Sequence, residues 1–113
     1  MVVLVLLPLL AAGTKFEGTY TGTGVRTKGD VPTCQVEESV SAKIQGASLT
    51  LNDSTLHDVV TGFDPNPDGT FGQTYVDVGG GTSQIRGHIE GDVLDADVIK
   101  GLCEHHWHLT HTP

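Results

Sequence analysis

The sequence predicts an all-β domain: about eight antiparallel strands in an up-and-down barrel, or a flattened barrel tending to a sandwich, tied by one disulfide. Three observations carry that expectation. Apolar and polar residues alternate with period two, and no window past residue 14 shows a helical period. Glycine is abundant, 15 of 113 residues, while aromatic residues make up only 5%, which suits short strands joined by tight turns. Two cysteines, Cys34 and Cys103, lie far apart at the starts of two of these strands.

Ahead of the strands stands an apolar leader, residues 1–13, followed by a single β-barrel domain over 14–113. Val2 to Ala12 is interrupted only by Pro8 and ends in Ala11-Ala12-Gly13. That is the length of a signal-peptide apolar region, with small residues suited to cleavage after Ala12 or Gly13. It is too short to span a bilayer. The basic segment that should precede it is missing. Either the true start lies upstream, or the segment is retained as an anchor and buried against a partner.

The first strand runs from about Lys15 to Thr27, with Phe16, Gly18, Tyr20 and Gly22 on one face. A loop at 28–32 leads to a second strand from Cys34 that points Val36, Val40, Ala42 and Ile44 inward, with Glu38 on the same face. Gln45-Gly46 is a candidate two-residue turn, and Leu49 and Leu51 mark the third strand. The fourth covers His57 to Phe63. Residues 64–69 hold two prolines, which remove donors and fix φ, so they form a loop. Strand five spans Thr70 to Val78, strand six Ser83 to Glu90 and strand seven Val93 to Ile99. The last strand, Leu102 to His111, carries Cys103, the single tryptophan and four of the six histidines.

Two hairpin turns set a register. A turn at Gly91-Asp92 pairs Ile89 with Leu94, Gly87 with Ala96 and Ile85 with Val98. A turn at Lys100-Gly101 pairs Val98 with Cys103, Ala96 with His105 and Leu94 with Trp107. All of these fall on one face, which becomes the core face. A Cys34–Cys103 bond would tie strand two to strand eight and place the chain in an oxidising compartment, periplasmic or secreted. Two free thiols in a cytosolic protein is the competing reading.

The net charge of −8 and the pI near 4.9 argue against nucleic acid and anionic membrane surfaces as partners. Membrane association would come only through residues 1–13, if retained. An acidic surface favours cationic partners, including metal ions.

The opening Phe16-Glu17-Gly18-Thr19-Tyr20-Thr21-Gly22, the cysteine at 34, the glycine-turn hairpins and the closing Cys103 to Leu109 strand together resemble small secreted bacterial β-barrel and β-sandwich domains of uncharacterised function. The resemblance implies the fold and one disulfide, and no activity. It does not account for the histidines of the last strand.

Those histidines make the candidate site. On the outer face, the predicted register sets His88 opposite Asp95 and Asp95 opposite His106, with His108 two residues along. Imidazoles flanking a carboxylate on strands about 4.8 Å apart could converge on Zn²⁺, Cu²⁺ or Ni²⁺, with Zn²⁺ or Cu²⁺ the expected ions. The ordinary alternative is a wet surface of cross-strand pairs. Inside, Glu38 and His105 both point into the predicted core, either as a hydrogen-bonded structural pair or as a general-base dyad. No Gly-x-Ser-x-Gly elbow is present, and the glycine run at 79–81 precedes a strand, so it cradles no phosphate. The expectation is a non-enzymatic binding module or accessory subunit of a larger assembly, with a protein partner. A periplasmic transition-metal binding protein is the alternative.

Overall fold

In a computed structural model, residues 15–29, 34–53, 57–76 and 81–112 are described. The predicted leader, residues 1–13, lies outside them, as do parts of three connections. The eight expected strands are present: β1 (Gly18–Lys28), β2 (Glu37–Gln45), β3 (Ser48–Asn52), β4 (Val59–Gly62), β5 (Thr70–Val76), β6 (Thr82–Glu90), β7 (Val93–Lys100) and β8 (Cys103–Thr112). They form one antiparallel sheet in the order β4-β3-β2-β1-β8-β7-β6-β5, a nearly closed barrel. The first and last strands lie side by side at its centre. Closure is incomplete, because among the described residues β4 pairs only with β3 and β5 only with β6.

Alternation builds the core as expected. Tyr20, Val40, Ala42, Ile44, Leu49, Leu51, Ile85, Ile89, Leu94, Ala96, Val98, Trp107 and Leu109 all point inward and are buried. Phe63 bridges the base of the β4–β5 gap, its ring 5.3 Å from Phe71 and 6.4 Å from Phe16. Glycine makes room where β8 crosses β1. A Cβ on Gly22 would sit 2.0 Å from the His108 carbonyl oxygen, and one on Gly24 would sit 2.9 Å from the Trp107 ring. The opening glycines therefore let the bulky face of β8 lie directly on β1.

Cys34 and Cys103 are bonded, with Cα atoms 5.6 Å apart, and tie the approach to β2 to the start of β8. Arg26 reinforces the same strap: its backbone N–H donates to Val36 O at 2.9 Å and its guanidinium to Cys34 O at 3.2 Å.

The register of β6 with β7 is the expected one, with Ile89↔Leu94, Gly87↔Ala96 and Ile85↔Val98. That of β7 with β8 differs. The turn is Gly101-Leu102 rather than Lys100-Gly101, so Lys100 faces Cys103, Val98 faces His105, Ala96 faces Trp107 and Leu94 faces Leu109. Moving the turn by one residue slides the pairing by two, which keeps every side chain on its face. The first turn likewise is Gly46-Ala47 rather than Gln45-Gly46, since Gln45 pairs with Ser48. Val36, expected in the core, lies ahead of β2 and is exposed.

Candidate functional site: the outer wall of β1, β8 and β7

Two rows of outward side chains cross the centre of the sheet. One runs Ser39, Thr23, His108, Asp95, His88 and the next runs Glu37, Val25, His106, Asp97, Arg86, each member on the strand beside the last. The corrected turn thus puts His108, not His106, directly opposite Asp95, and His106 opposite Asp97.

His106 still reaches both carboxylates. Its Nδ1 lies 3.0 Å from Asp97 Oδ1 and its Nε2 3.1 Å from Asp95 Oδ1. His108 Nδ1 lies 2.7 Å from the same Asp95 oxygen. An ionised carboxylate only accepts hydrogen bonds, so both contacts are hydrogen bonds together only when His106 is protonated, as an imidazolium between two aspartates. The hydrogen bond to Asp97 is the main cause that raises the His106 pKa above its usual 6.5. Partial burial opposes it, and the bond to Asp95 adds to it. At Asp95, partial burial pushes the carboxyl upward, but the hydrogen bonds from His108 and His106 outweigh it and hold the group below its usual 3.8. The His106 and Asp95 side chains are each 44% exposed, so solvent screens these charges.

Of the four predicted site residues, Asp95, His106 and His108 are brought together and His88 is not. Although in register with Asp95, His88 turns its Nε2 toward the Asp68 carbonyl oxygen at 3.0 Å and its Nδ1 toward Glu90 at 4.0 Å. Among the described residues, no group of three or more histidine, cysteine, aspartate or glutamate side chains is arranged to hold a metal ion.

A second polar constellation lies inside, at the disulfide end of the barrel. His105 and Glu38 are both buried, with Nε2 3.4 Å from Glu38 Oε2. The same nitrogen donates to Gln35 O at 2.6 Å, which fixes its proton, while His105 Nδ1 is buried with no hydrogen-bond partner among the described residues. Lys100 donates to the buried Asp53 carboxylate, and Ser83 is buried alongside, in register between Tyr75 and Lys100. Sequence reasoning missed Asp53, Lys100 and Ser83. The period-two pattern contained them: Asp53 extends Leu49 and Leu51, Lys100 extends Leu94, Ala96 and Val98, and Ser83 precedes Ile85. A buried charge must be paired, and the Lys100–Asp53 pair joins β7 to the end of β3.

No protein family, curated protein or solved structure matches the chain.

Proposed function

We propose that the protein is a secreted or periplasmic β-barrel module without catalytic activity, which works by binding or as an accessory subunit of a larger assembly, with the outer wall around His106 as its contact face. One observation carries this reading: a carboxylate–imidazolium–carboxylate chain, Asp97–His106–Asp95 with His108 attached, lies open on the outside of a barrel whose centre is filled by packed side chains. Chemistry needs an enclosed position from which water is excluded, and an outer strand face supplies none. The disulfide is compatible with an oxidising compartment, and among the described residues no helix is long and apolar enough to cross a membrane. The acidic balance favours a partner with a basic surface.

Site-specific photo-crosslinking in the native compartment tests it. A crosslinker at Thr23 or Thr110, which flank the patch, should trap a partner, and one at Thr74 on the far wall should not. Loss of the adduct in an Asp95→Ala, Asp97→Ala double variant would tie the contact to the patch. Equal adducts from both walls would refute it.

Transition-metal binding at the same patch is the second reading, favoured by two imidazole nitrogens converging on one oxygen of Asp95. It requires His106 to give up a proton and the rings to turn, so affinity should fall steeply as pH drops through the raised His106 pKa. In a calorimetric titration with Zn²⁺ or Cu²⁺, His106→Ala and Asp95→Ala should each abolish binding while His57→Ala leaves it intact. Equal heats from all three would remove the reading.

A further inference from the structure

The outer surface of β5 and β6 carries a groove, away from the His106 patch. Its volume is about 250 Å³, and it is lined by Gly72, Gln73, Thr74, Gln84 and Arg86. Register explains the grouping. Gly72 pairs with Arg86 and Thr74 with Gln84, so two outward-facing pairs stand two residues apart on one face. None of the lining residues is acidic, although acidic residues outnumber basic ones by 14 to 6 in the chain.

Arg86 is the one charged residue of the groove. Asp97 faces it across the β6–β7 ladder, yet among the described residues Arg86 forms neither a hydrogen bond nor an ion pair. Asp97 is turned to His106 Nδ1 instead, at 3.0 Å. The Arg86 stem lies against bare Gly72, its Cγ 3.4 Å from where a Cβ on that glycine would stand. The stem therefore leaves its backbone toward β5, on the side away from Asp97. The side chains of Thr74 and Gln84 likewise make no hydrogen bond among the described residues.

A guanidinium presents its N–H donors in a planar fork that matches a carboxylate. A hydroxyl or carboxamide both donates and accepts, as the hydroxyls of a ligand do. The net charge of −8 repels anions at long range, so only an anion that gains directed contacts would settle here. We propose that the groove binds a small carboxylate with neighbouring hydroxyls, a sugar acid or an open-chain hydroxy acid. Arg86 grips the carboxylate, and Thr74 and Gln84 take the hydroxyls. The groove is smaller than the pockets of drug-sized ligands, which limits the ligand to about one sugar unit. The site shares no residue with the Asp97–His106–Asp95 chain and stands or falls independently of the protein contact proposed there.

The probes are D-glucuronate and D-gluconate, each titrated into ¹⁵N-labelled, disulfide-bonded protein, with acetate and glucose for comparison. Backbone and side-chain shifts should concentrate at 72–74 and 84–86, with dissociation constants of about 1 mM, as for a small ligand on an open face. The tighter of the two acids assigns the ligand as cyclic or open-chain. Acetate lacks the hydroxyls and glucose the carboxylate, so each should bind about tenfold more weakly or less. Arg86→Gln should abolish the response, and Arg86→Lys should weaken it about tenfold, because an ammonium cannot make the paired contact. Arg86 is exposed, so both variants should keep the melting temperature of the unaltered protein. His106→Ala should leave binding unchanged. No shifts in the groove at about 10 mM of either acid, well above the expected constant, would overturn the proposal. So would acetate binding as tightly as both acids, which would mark an unspecific anion contact. Glucose binding as tightly would also overturn it, since Arg86 would then have no role. Binding kept in Arg86→Gln or lost in His106→Ala would place the ligand elsewhere.

Discussion

At the scale of single residues, His106 is the group whose state is most constrained. Two carboxylates face its two nitrogens, so deprotonation breaks one hydrogen bond and leaves a lone pair facing an oxygen. Its folded pKa is raised, so its contribution to stability is fully present below pH 6.5 and is lost as pH rises through the folded value. Asp95 works in the opposite direction: its folded pKa is depressed, so its contribution is present above pH 3.8 and is lost as pH falls through the folded value. The two windows overlap in mildly acidic solution, where the patch is held best. An NMR titration of the His106 ring should therefore give a midpoint above 6.5, and Asp97→Asn should move it down. A midpoint at or below 6.5 in the unaltered protein would show that the bridge does not form in solution. The sequence identified the cluster because four histidines stand on one strand, but it misassigned who faces whom. Cross-strand partners depend on the turn, and whether a ring reaches diagonally, as His106 does, depends on its rotamer.

At the scale of elements, three hairpins share one rule. Gly46, Gly91 and Gly101 each open a two-residue turn with φ near +60°, at 59°, 61° and 58°. A left-handed first position matches the twist of the flanking strands and strongly favours glycine. The Gly91-Asp92 turn was read correctly because glycine was placed first there. Placing glycine second, at Gln45-Gly46 and at Lys100-Gly101, displaces each turn by one residue, and in the β7–β8 ladder that slides the pairing by two. The faces survived because period two is indifferent to an even shift, so the buried set was readable even where the pairings were not. Exceptions such as Val36 sit where a strand had not yet begun. Close approach of strands is a separate demand on glycine. Gly22→Ala would drive a Cβ into the His108 carbonyl and should cost about 1–3 kcal/mol, the range for overpacking. Gly62→Ala, with open space around it, should cost far less. Denaturant midpoints of the two variants check this, and equal midpoints would mean that β1 and β8 are not so tightly apposed.

At the scale of the molecule, the barrel is held by long-range links. Its central ladder joins the first strand to the last, and the Cys34–Cys103 bond spans 69 positions of sequence. In the chain-entropy model, closing a loop of that length contributes about 4 kcal/mol, a large share of the stability of a domain this small. Reduction should lower the melting temperature sharply, and Cys34→Ser, Cys103→Ser should reproduce the loss. An unchanged melting temperature would show that the Arg26 and His105 bonds to the same strap suffice without it. Alternation predicted a barrel but could not say where it fails to close. Which neighbouring strands lack a ladder depends on the route of one connection, here residues 63–69, whose prolines and internal hydrogen bonds shape the loop at the base of the gap.

Because Thr19 pairs with Thr112, the start of β1 and the end of β8 lie side by side, at the end of the barrel opposite the disulfide. A support attached beside Thr19 would hold the molecule in the same attitude as one attached beside Thr112, with the strap of residues 34–36 and the Gly101-Leu102 turn facing outward. A short flexible link from 112 back to 15, which keeps the buried Phe16, with new termini cut into the Gly46-Ala47 turn, should give a permuted chain that folds to the same barrel.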